Sequence, residues 1–150
     1  MASRAAQAIL SAGLICGVLD GLSAIAITLV FGGKVVRTFQ GIASGLLGPS
    51  AFQGGANTAL LGLALHFAIA FGAAAVYFFA SRYVPFLIER ALPAGMLYGV
   101  AVHLFMQFVV IPLSAIGPRP LVARNFVAVL AAHVVVVGPS IAFTVRRYSK

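Results

Sequence analysis

The chain has 150 residues, 62% of them hydrophobic and 8% charged, with a mean hydropathy of +1.10 and a formal net charge of +8. A soluble domain carries roughly 45–50% apolar and about 25% charged residues, so there is too little charge here to cover a water-facing surface. High hydrophobicity excludes a disordered chain and the single Cys16 excludes a disulfide scaffold, which leaves an all-α integral membrane protein with one domain over residues 1–150.

A hydrocarbon core of ~30 Å needs about 20 helical residues, and four runs meet that length. The first covers about 5–31 and is interrupted only by Asp20. It is longer than the apolar region of a secretory signal, and Leu14-Ile15-Cys16 lacks the small residue a lipoprotein cleavage site needs before its cysteine, so it reads as a spanning helix. Over about 33–48, Val35, Phe39, Ile42 and Leu46 recur at helical spacing while Lys34, Arg37, Gln40 and Ser44 fall elsewhere. This pattern predicts an interfacial amphipathic helix, with its apolar set in lipid or against the bundle, ending at Gly48-Pro49. A re-entrant gate or a partner-docking helix is the functional alternative. The second span covers about 57–81, the third about 94–116 and the fourth about 125–145, with a Phe/Pro-containing connection over 82–93.

The expected architecture is therefore a four-transmembrane-helix bundle with an interfacial helix between spans 1 and 2. One side holds Arg4, Arg82, Arg90, Arg146, Arg147 and Lys150, and the other Lys34, Arg37, Arg119 and Arg124, which predicts both termini in the cytoplasm. These basic residues sit where lipid head groups bind them, so membrane lipids are the expected partner. No basic stripe with interleaved aromatics points to nucleic acid.

Spanning helices associate through close contact and buried hydrogen bonds, because lipid tails are as apolar as leucine. Gly13, Gly17 and Gly21 form a small-residue ridge on the first span, and Gly95 and Gly99 repeat the spacing on the third. Ala59, Gly62, His66, Ala70, Ala73 and Tyr77 share one side of the second. These faces serve either the bundle core or the seam of a homodimer or larger membrane complex. Pro112 and Pro139 predict kinks that free the carbonyls of Phe108 and Val135, with Ser140 placed to satisfy nearby backbone.

An ionisable group in hydrocarbon is costly and calls for a partner. Asp20, His66, His103 with Gln107 one turn later, and His133 form the intramembrane polar set. Helical rise places His66 and His133 at similar depth, with Asp20 and His103 successively deeper, as a descending chain. In the leading reading these groups order the bundle of a small accessory or scaffold protein without catalysis of its own. In a second, they line a proton-linked or small-solute pathway, since imidazole passes protons between its two nitrogens; such a small protein would then act as a dimer. In a third, His66 and His133 supply axial nitrogens to a b-type haem for electron transfer, with Gly62 and Ala70 giving room. Staggered depths disfavour a metal site. The absence of a phosphate loop and of a paired acid and base argues against an enzyme.

Several features occur in a characteristic order: His66 in an apolar span, Tyr83-Val84-Pro85-Phe86, the Val110-Ile111-Pro112-Leu113 helix end, His133, and the closing Arg146-Arg147. On these, residues 60 to 147 resemble the YagU family of small bacterial inner-membrane proteins. The family pattern carries amide and imidazole in the reverse order at the positions of His103 and Gln107, and its polar region between the first spans is reduced here to the 33–48 segment. The resemblance implies a bacterial inner-membrane location and no established biochemical activity, and it carries over no catalytic residue.

Overall fold

The computed structural model describes residues 3–149, which are helical apart from short connections. Helix α1 (Arg4–Val30) opens on Ser3, whose hydroxyl accepts from the Ala6 N–H at 3.2 Å. It stops at a turn through Gly32, whose φ of 72° lies in the left-handed region. Helix α2 (Val35–Leu47) ends at Gly48, with φ 66°, and a short 3-10 helix (Gly48–Gln53) leads to α3 (Gly55–Ser81). After the short α4 (Phe86–Glu89), the third span comprises α5 (Ala91–Phe105), a π-helical turn (Met106–Val110) and α6 (Ile111–Leu113). The fourth comprises α7 (Ala123–Ala132), a second π-helical turn (His133–Val137) and α8 (Gly138–Tyr148). Four helices are thus long and apolar enough to cross a membrane. Their ends fall within three residues of the expected bounds, the largest differences being 94 against 91, 116 against 113 and 145 against 148.

The glycine faces pack within the chain. Gly13 and Gly17 of α1 admit Phe71 and Phe67 of α3, and Gly21 faces the His66 ring. Across the second pair of spans, Gly99 lies against the His133 carbonyl, and Gly95 against the backbone of Gly138 and Pro139. Such contacts bring backbones within van der Waals reach, the main source of helix affinity in lipid.

The prolines are accommodated by widening the turn before each one. Ile111 donates its N–H to Met106 and Gly138 to His133, five residues back in each case. One residue of slip moves the carbonyl that the pyrrolidine ring would meet, so a π turn takes the place of the expected break in the ladder. Ser140 donates to the Val137 carbonyl at 2.9 Å.

Helix α2 packs on α3 with its small polar residues and with Phe39, while Ile42 and Leu46 border the cavity between the spans. Gln40, Ala43 and Ser44 are buried, whereas Val36 and Leu46 are 50% and 60% exposed. Gln40 donates to the Gly55 carbonyl at 3.0 Å, the hydroxyls of Thr28 and Thr38 meet at 2.7 Å, and the Phe39 carbonyl rests on Gly62. Polar atoms beside hydrocarbon need protein partners and leucine does not, so the small polar stripe turns inward. Gly62 therefore serves the α2 contact.

The bundle is dense at one end and hollow at the other. At the end holding both termini, Ala8, Ala12, Cys16, Ala74, Ile141 and Val145 form a closed core around Tyr77. Tyr77 and Tyr98 donate to the carbonyls of Leu87 and Ala73 at 2.8 and 2.7 Å, and the hydroxyls of Ser11 and Tyr148 meet at 3.0 Å. A β-branched side chain at Gly99 would strike the His133 backbone, so Gly99→Val is expected to lower stability in detergent by about 1–3 kcal/mol. Gly72→Ala, with nothing within 4 Å of the added carbon, should leave the thermal unfolding midpoint equal or higher.

Candidate functional site

Towards the α2 end the first and second pairs of spans part around a cavity of about 500 Å³. Asp20, His66, His103, Gln107 and His133 all line it, so the five polar residues read from the spans share one space. The rest of the wall is largely aliphatic, with Leu65, Ile69, Val102, Met106 and Val129 on facing helices. A few polar groups converging in an apolar hollow of this size is the usual make-up of a small-molecule site.

The polar groups form two pairs. In the first, His66 Nε2 lies 2.8 Å from the Gly17 carbonyl; an oxygen of this kind only accepts, so Nε2 carries the hydrogen. The neutral ring then turns the lone pair of Nδ1 toward Asp20 Oδ2, 3.9 Å away. Two acceptors face each other there, and a proton on either converts them into a donor and an acceptor. The His66 ring is fixed edge-on between Phe39 and Phe67, with centroids at 6.4 and 5.5 Å. Asp20 keeps 24% of its side-chain surface and His66 9%, so the carboxylate is the more open member.

In the second pair, the rings of His103 and His133 lie 5.2 Å apart, edge to face, and Phe126 closes on His103 at 4.7 Å. His133 donates from Nδ1 to the Val129 carbonyl one turn back at 2.9 Å, leaving the lone pair on Nε2. His103 is 4% exposed and its Nε2 is buried with no hydrogen-bond partner. Such an atom is expensive to keep. Gln107 lies in the π turn that begins three residues after His103 and lines the same wall.

Equal depth of His66 and His133 says nothing about which helices adjoin, and the pairing is set laterally. His66 meets α1 and α2, whereas His133 meets α5. For the axial-ligand arrangement both rings need free nitrogens, and the Gly17 carbonyl occupies Nε2 of His66, leaving only the nitrogen beside Asp20. No group of three or more metal-binding side chains occurs among the described residues.

Sequence reasoning missed the mouth. Thr38, Ser114 and Arg119 line the cavity where it reaches the surface beside exposed Leu46. Arg119 donates from Nη2 to the buried Ser44 hydroxyl at 2.7 Å, and Ser44 donates to the Gly41 carbonyl at 2.6 Å. The Ala115 N–H bonds the Gly45 carbonyl at 2.9 Å, tying the 114–119 loop to α2. The available signal was Gly117-Pro118-Arg119-Pro120, a stiff loop presenting one cation. Comparison with known proteins adds no name to this geometry: no family model, curated protein or solved structure matches the chain.

The two buried histidines have opposite expected costs. Replacing His66 with Leu removes a made hydrogen bond and should destabilise the protein by about 1 kcal/mol. Replacing His103 with Leu removes an unpaired polar atom and should leave stability unchanged or raised, measured as thermal unfolding in the same detergent.

Proposed function

We propose that the protein is a proton-linked pathway for a small solute across the bacterial inner membrane, with the hollow half of the bundle as its binding chamber. One observation carries this reading: side chains from all four spans, Asp20, His66, His103, Gln107 and His133, converge on a single cavity. A bundle needing its polar residues only for register would fill the space between them, whereas both pairs here border a hollow. With both termini in the cytoplasm the chamber faces outward, and the dense core of Tyr77, Ile141 and Val145 is the closed side. Passage then requires that core to part.

Proton linkage rests on the two pairs. Nδ1 of His66 and the Asp20 carboxylate share one place for a proton, and each imidazole can take a proton on one nitrogen and release it from the other. The buried Nε2 of His103 is a polar atom held in reserve beside the chamber. The accessory or scaffold role would need a docking face. The glycine ridges, one of the two surfaces expected to supply it, are occupied inside the chain, which leaves only the outward side of α2 for docking.

The test is proton influx into proteoliposomes holding an entrapped pH dye, driven by a potassium diffusion potential. It is run with external panels of small organic anions, cations and neutral solutes. At least one panel should speed influx over protein-free vesicles. Asp20→Asn and His103→Ala should each slow it at least about tenfold, a barrier change of roughly 1.4 kcal/mol. Rates equal to those of empty vesicles under every panel would overturn the proposal.

A further inference from the structure

The mouth of the chamber carries a distinctive charge. Lys34, Arg37, Arg119 and Arg124 all lie at the α2 end, while the only two acids are Asp20, inside the spans, and Glu89, on α4 at the opposite end. Four cations with no acid among them attract anions to this opening from solution. Two of these residues are turned elsewhere. Arg37 donates to the Phe52 carbonyl at 3.1 Å and lies over the Phe52 ring, and the Arg124 guanidinium sits 4.0 Å above the Phe31 ring.

Arg119 is the one that lines the cavity. Among the described residues no carboxylate stands within ion-pairing distance of it. Its one hydrogen bond, to Ser44, uses one of five guanidinium donors and orients the rest. The planar fork that remains matches a carboxylate or a similar oxyanion in two-point contact. Thr38 and Ser114 stand on the same rim with hydroxyls already bonded to Thr28 and to the Ile111 carbonyl, which leaves Arg119 as the free donor there. Directly inside lie the aliphatic walls formed by Leu65, Ile69, Val102 and Val110. Asp20 stands farther in, ten residues or roughly 15 Å along α1 from its Val30 end. A negative group is thus favoured at the rim and opposed at the floor, while the space between accepts hydrocarbon.

We infer that the solute is a small organic anion with a short apolar chain, its oxyanion held by Arg119 at the mouth and its chain directed into the cavity. This inference rests on the chamber being a solute site, as proposed above, and adds the class of solute and the residue that selects it.

The probe is hexanoate at neutral pH, titrated calorimetrically into the protein in phosphatidylcholine nanodiscs, with empty discs as blank. Hexanol and hexyltrimethylammonium serve as neutral and cationic counterparts. Hexanoate is expected to bind, and the two counterparts to bind at least about tenfold more weakly. Arg119→Gln should weaken hexanoate about tenfold or more, Arg119→Lys less, and Arg37→Gln not measurably. Equal binding of all three probes, or binding indifferent to Arg119→Gln, would overturn the assignment. An anionic lipid offers the same chemistry from within the membrane. Loss of hexanoate binding when phosphatidylglycerol is added to the discs would give the site to lipid and overturn the soluble anion. Hexanoate failing to bind while some other panel still drives proton influx sinks this inference alone. Failure of both experiments sinks the pathway as well.

Discussion

Hydrocarbon supplies no hydrogen bonds, so a polar side chain within a membrane-spanning bundle has to be met from inside the chain. The arrangement of this protein is a consequence of that constraint. Gln40 and Ser44 turn from the apparent polar face of α2 to the bundle, while Val36 stays half exposed. Gln40 reaches Gly55 and Ser44 receives Arg119. His66 leaves its own helix to bond the Gly17 carbonyl, which is reachable because a glycine stands there and Phe67 packs over it. Among the described residues, His103 carries the one fully buried side-chain polar atom without a partner, its Nε2 beside the cavity. Buried polar exceptions of this kind are where function is looked for first, since stability alone would remove them.

The contrast between the two ends of the bundle comes from side-chain size and turn geometry. At the terminal end alanines and glycines let α1, α5 and α8 approach closely, and the Tyr77 and Tyr98 hydroxyls spend their hydrogen bonds on backbone carbonyls. At the α2 end the third and fourth spans each take a π turn just before a proline. Gln107 and Val137, each one turn beyond a cavity histidine, line the wall from within these π turns.

The spans are legible from the sequence because run length and hydropathy are local properties. The 91–113 and 123–148 helices extend beyond the expected bounds only where Pro93 tolerates a first turn and where basic residues continue a helix past the apolar run. The convergence of Asp20 with one histidine is also within reach, since an intramembrane carboxylate needs a partner. Which histidine is not. Depth along an axis fixes one coordinate, and the choice between His66 and His133 depends on which helices adjoin, a lateral fact that no spacing encodes. Apolar periodicity finds α2 but leaves its facing open between lipid and bundle; the burial of Gln40, Ala43 and Ser44 beside Phe39 depends on the α3 surface they meet. In the sequence Arg119 counts only toward orientation, and its role at the rim depends on α2 folding back over α3 to bring Ser44 to the 114–119 loop.

Charge placement also suggests why solute and proton would move together. On the proposed reading, an anion seated at Arg119 would lose its counter-charge on moving inward and would next meet the Asp20 carboxylate. In an apolar hollow that approach is strongly unfavourable unless one of the two negative groups is neutralised. Nδ1 of His66 already faces Asp20 with a lone pair, so a proton taken up there joins the facing acceptors and removes the repulsion at the floor. Occupancy of the rim and protonation of the floor then favour one another through the field alone, with no change of fold required to couple them. On the proposed reading, this coupling would use a cation at the mouth, a carboxylate at depth and an imidazole between that carboxylate and a backbone carbonyl. The three occur on separate elements, the 114–119 loop, α1 and α3, held in place by α2 and by the glycine contact at Gly17.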